Sequence, residues 1–126
     1  MTCNVRQLLA VSDVGFLRRL LETSLSPVAQ FRLIRLSRAL LADTALALDA
    51  RNKLFTPDNS SEIEGRPGVR QIRDECLVDY QRQMSAVCDV EVEVVLDLIP
   101  ITDLAGVKCT AAELDSIAPF LDTISS

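Results

Sequence analysis

Residues 26–55 read SPVAQFRLIRLSRALLADTALALDARNKLF. Ser is a favoured helix N-cap, and Pro suits the first helical position because its missing N–H would be unpaired there anyway, so Ser26-Pro27 opens a helix. Neither Gly nor Pro interrupts the stretch before Thr56-Pro57. That permits a helix of about 28 residues, roughly 42 Å long at 1.5 Å per residue. Its apolar residues return every seven positions, with Ile34, Leu41, Leu48 and Phe55 in one row and Leu33, Leu40, Ala47 and Leu54 beside it. Such a repeat predicts a helix that buries a stripe against another helix, and it makes the chain mainly α.

Working outward, Asn4 caps a turn carrying Val5, Leu8 and Leu9, and Phe16, Leu17, Leu20 and Leu21 follow at helical spacing. The expectation is a helix to about residue 24, broken or bent near Gly15. On the other side, TPDNSSEIEGRPG (56–68) is rich in turn formers and reads as a mobile connection. Val69, Ile72, Cys76, Tyr80, Met84 and Val87 then predict a second helix over 69–87, long enough to return along the first as an antiparallel hairpin.

After Cys88 the period changes. Val90, Val92, Val94, Leu96 and Leu98 alternate with acidic residues, which is a strand pattern with one apolar and one acidic face. A brief segment at 107–109 is a candidate partner strand. Thr110 and Glu113 form a capping box for a terminal helix, which Pro119 limits to about two turns. The expected architecture is one domain over 1–126: a long antiparallel helical hairpin, a small β element over about 89–109 and a short C-terminal helix. A lone strand pair leaves an open edge, so Val90, Val92, Val94 and Leu96 are candidates for an interface in a homo-oligomer.

Of 126 residues, 48% are apolar and 4% aromatic with no Trp, enough for one core, expected to be aliphatic. Net charge is −5, which speaks against general nucleic-acid binding. Its distribution is uneven: residues 1–55 carry eight basic and four acidic side chains, and residues 56–126 carry five and fourteen. The two halves attract one another, either within a chain or between neighbouring subunits. No apolar run approaches the ~18 residues of a membrane span, and no export signal opens the sequence, so a cytosolic setting is expected.

Catalytic machinery is hard to assemble from these residues. There is no His to serve as a base for Ser or Cys, and no Gly-rich phosphate loop. The four Cys lack a CxxC spacing, so neither a zinc site nor any other metal or cofactor is expected, and they read as free thiols. The carboxylate pairs Glu91/Glu93 and Glu62/Glu64 have no identifiable acid–base partner and read as solvated groups. One constellation remains. Arg18 and Arg19 end one helix while Arg32, Arg35 and Arg38 lie in the early turns of the next, where they would hold an anion or an acidic partner, or else pair with the acidic second half of the chain.

The opening NVRQLL, the Pro-started helix ending in ARNKLF, and DVEVEVVLDLIPITDLAGVKCTAAELDSIAPFL together resemble a group of small uncharacterised proteins of tailed bacteriophages and prophages. The resemblance spans most of the chain and implies no activity, cofactor or site residue. What it implies is a viral protein working in the host cytoplasm or in the virion, not secreted, with other phage or host proteins as partners. Two classes of non-enzymatic function follow. One is a structural or assembly component of the virion, such as a connector, tail or head accessory protein. The alternative is a host-directed binding protein that blocks or sequesters a component or nucleotide signal of bacterial defence.

Overall fold

The computed structural model describes residues 1–122. Strand β1 (Thr2–Asn4) leads into helices α1 (Val5–Val14) and α2 (Phe16–Glu22), then the long α3 (Pro27–Asn52). A hairpin of β2 (Ser60–Ile63) and β3 (Arg66–Ile72) precedes α4 (Leu77–Cys88). Then come β4 (Glu91–Glu93), β5 (Ile99–Pro100), α5 (Ala111–Ile117) and β6 (Leu121–Asp122). The described residues thus form a mainly helical protein, with three two-stranded sheets: β1 with β4, β2 with β3, and β5 with β6.

Local chemistry accounts for the helix ends. Asn4 and Gln7 form a reciprocal capping box at the start of α1, and Ser26 Oγ accepts the Ala29 N–H at 3.2 Å beside Pro27. Gly15 separates α1 from α2 with φ 73°, a left-handed conformation that costs a side-chain-bearing residue free energy. The Thr110–Glu113 capping box opens α5, which ends in a 3-10 turn containing Pro119.

Helix α3 buries Ala29, Leu33, Leu36, Leu40 and Ala47 against α1 and α2. One of its two heptad rows is therefore core. The other is open over its first half, with Ile34 41% and Leu41 67% exposed, whereas Leu48 and Phe55 further along are half-buried, Phe55 against Tyr80. Two of the four Phe, Phe16 and Phe120, are fully buried with Leu8, Leu20, Leu33 and Ile117. The core is thus not purely aliphatic: these rings fill the space between α1, α2 and the C-terminal segment.

Three further expectations are corrected. The 56–68 connection is organised chain: Asn59 Nδ2 donates to Leu54 O at 2.7 Å, and Arg70 donates to both Ser60 Oγ and Ser60 O, at 2.8 and 2.7 Å. Residues 69–72 belong to β3, so the second helix starts at Leu77 and has 12 residues. Val69 and Ile72, three positions apart, fit a helical stripe and fall on opposite faces of a strand, but both are β-branched and pairing with β2 decides for the strand. This shorter α4 packs on α1 and, less extensively, on α3, while Tyr80 meets Phe55 with ring centroids 5.5 Å apart.

The third correction concerns the alternating segment. Its ladder spans only Glu91–Glu93, and its partner is β1 (Thr2↔Glu93, Cys3↔Val92, Asn4↔Glu91), not residues 107–109, which form no strand. Val94 continues the contact by donating its N–H to Met1 O at 2.8 Å and then turns into the core at 3% exposure. Residues 95–98 leave the sheet altogether. Alternation marks where a strand can form, but its length depends on how much partner backbone lies alongside.

Candidate functional site

The first half of α3 and the segment 95–100 enclose a groove of about 480 Å³. Val28, Phe31, Arg32, Arg35 and Ala39 recur at three- and four-residue intervals, so one stripe of the helix forms the wall. The opposite wall is held at both ends. Val94 is anchored in the core, and Ile99, 2% exposed, pairs in parallel with Leu121. Between these anchors Leu96 is half-buried while Val95 is 94% and Leu98 44% exposed, facing a helix whose Phe31 is 61% and Val28 58% exposed.

The groove carries both signs of charge. Arg32 Nη1 donates to both carboxylate oxygens of Asp103 at 2.9 Å, and Asp103 is mostly shielded from water. Arg35 Nη1 stands 3.9 Å from Asp97 Oδ2, too far for a hydrogen bond, with both side chains largely exposed. The Arg35 guanidinium also lies 6.0 Å from the centroid of the Phe31 ring. Two arginines meet two aspartates here, so the groove has little spare positive charge to offer an anion.

The five arginines singled out by the sequence do not converge. Arg19 turns to α5, reaching Glu113 Oε2 through Nε at 3.0 Å and Lys108 O through Nη2 at 3.0 Å, with its guanidinium 4.9 Å over the Phe16 ring. Arg18 lies 3.9 Å from Glu22 and borders a second depression, between the α1–α2 junction and α3. Only Arg32 and Arg35 share the groove, and Arg38 is exposed without an ion-pair partner among the described residues. Of the proposed interface positions, Val94 is core, Val92 is half-buried behind β1, and Leu96 lines the groove; Val90 alone is largely exposed, at 53%.

Three titratable groups have shifted affinities for protons. The Thr2 hydroxyl, donating at 2.6 Å, and then the Met1 ammonium hold the Glu93 carboxyl below its usual range. Glu113 is likewise lowered, first by the Thr110 N–H and then by Arg19. Burial, assisted by Asp43, pushes the Cys3 thiol up. Each shift follows from a structural contact: a cross-strand pair, a helix cap and a buried side chain. No group of three or more His, Cys, Asp or Glu among the described residues is placed to hold a metal ion.

This groove gathers exposed apolar side chains on both of its walls. Comparison with known protein families, curated proteins and solved structures finds no match to this chain. Sequence reasoning missed Phe31, Val95, Asp97 and Leu98. A signal was present for the first two: Phe31 falls outside both heptad rows of α3, and the doubled Val94-Val95 interrupts the alternation.

Proposed function

We propose that this chain is a non-enzymatic, self-associating protein of tailed-phage origin, serving as a structural or assembly component of the virion. The supporting observation is the apolar, charge-balanced groove between α3 and residues 95–100, whose rim residues Phe31, Val28 and Val95 are more than half exposed. An exposed apolar concavity with matched charges suits a protein surface. Its stiff wall is α3. The phage assignment rests on the sequence resemblance described above.

Sequestration of an anionic nucleotide signal is the weaker reading, because the Arg32 and Arg35 side chains already face Asp103 and Asp97. Native mass spectrometry of the protein purified from bacterial cells tests the choice. A discrete or polydisperse oligomer without added mass supports the assembly role, which then requires the chain to be present at many copies in purified particles. Retained nucleotide-sized mass on a closed oligomer would move the assignment to sequestration.

A further inference from the structure

The groove has two properties that together identify its occupant. It combines a cleft with a projecting apolar segment: Val95, 94% exposed, stands on one rim, and Phe31, 61% exposed, on the other. It also carries one loosely engaged charge of each sign, Arg35 at 65% and Asp97 at 89% side-chain exposure, 3.9 Å apart. A surface with knob and hole, plus and minus, side by side is self-complementary under a two-fold rotation. An anion would meet Asp97 and an Arg32 already held by Asp103, whereas a second copy meets matching charge at both positions.

Resting on the self-association reading above, we infer that two copies of this chain join through this groove about a two-fold axis. Val95 and Leu98 of each subunit pack against the first half of α3 of the other, and Arg35 of each faces Asp97 of the partner subunit. Phe31 is the central anchor, since a buried aromatic surrounded by aliphatic side chains excludes water from the charged pairs beside it.

Sedimentation velocity at low salt, where ion pairs are least screened, tests this on the full chain. Wild type is expected to dimerise, or to form a higher oligomer containing this contact. Val95→Asp should weaken association by about 30-fold or more, the effect of placing a charge in a desolvated apolar contact. Helical circular dichroism should remain, because Val95 makes almost no contribution to the monomer's buried surface. Arg35→Glu and Asp97→Arg should each weaken association, since both put like charges across the axis.

An equimolar mixture of these two single variants should recover it. In the mixed dimer the introduced glutamate of one subunit faces the introduced arginine of the other, and at the symmetric contact the native Arg35 faces the native Asp97. A contact made only within one chain cannot be repaired by mixing, so recovery is specific to a contact between subunits. If wild type associates but Val95→Asp changes nothing, or the mixed variants stay apart, this surface is overturned while self-association stands. A wild-type monomer at micromolar concentration overturns both.

Discussion

Two carboxylates and three thiols define the residue-scale behaviour. Glu93 and Glu113 bind protons less readily in the folded protein than in the unfolded chain. The unfolded state therefore takes up protons first as pH falls. Their stabilising contribution is complete above the ordinary glutamate value of 4.5 and disappears as pH drops through the lowered folded values. Thermal melts between neutrality and strong acid should show the melting temperature falling in that range, with a shallower fall in Glu93→Gln and Glu113→Gln. Thiol labelling gives a second expectation. Cys109 is exposed, whereas Cys3 and Cys88 are buried and burial raises the Cys3 thiol. A thiolate-specific reagent at mildly alkaline pH should modify Cys109 rapidly, and Cys3 and Cys88 only as fast as the protein opens.

At the scale of elements, the decisive feature is that α3 presents two heptad rows and the first half of one of them is left uncovered. Leu33 is fully buried and Leu41 is 67% exposed, although the two are alike in the sequence repeat. Leu33→Ala should cost about 2–5 kcal/mol in chemical denaturation and Leu41→Ala no more than about 0.5 kcal/mol. Equal losses would mean that both rows are buried. The junction of α1 and α2 makes a separate demand. Gly15 closes one helix and opens the next with φ 73°, so Gly15→Ala should destabilise by about 1–2 kcal/mol even though open space surrounds the added carbon. Replacing the Asn4 cap by Ala should cost about 1 kcal/mol.

Across the whole molecule, the basic excess of the first half is met within the chain by carboxylates of the second. Arg6–Asp89, Arg19–Glu113, Arg32–Asp103 and Arg35–Asp97 all join the basic first half to the acidic second half. Most of these side chains are well exposed, so each pair contributes only about 0–1 kcal/mol, and the aliphatic–aromatic core holds the fold. Their main effect is on the surface. By pairing most of the proposed arginine cluster internally, they leave an apolar groove as the distinctive external feature. No helix among the described residues is long and apolar enough to cross a membrane.

The sequence by itself determined the features that depend on neighbours along the chain. The Ser26-Pro27 start of α3, the Asn4 and Thr110 caps, the break at Gly15 and the short Pro119-limited terminal helix were all legible, because capping, ring closure and positive φ act within a few residues. Tertiary structure alone decided what depends on distant partners. The strand at 91–93 pairs with residues 2–4, about ninety positions away, and no alternation pattern encodes that choice. The hairpin at 60–72 takes up residues that the apolar spacing assigned to a helix, pairing 70–72 with 60–62, and Arg70 donates to Ser60 across it. The groove belongs to the same class: Phe31 and Val95 lie more than sixty residues apart, and only packing of the core between α3 and Val94 brings them to opposite rims of one cleft.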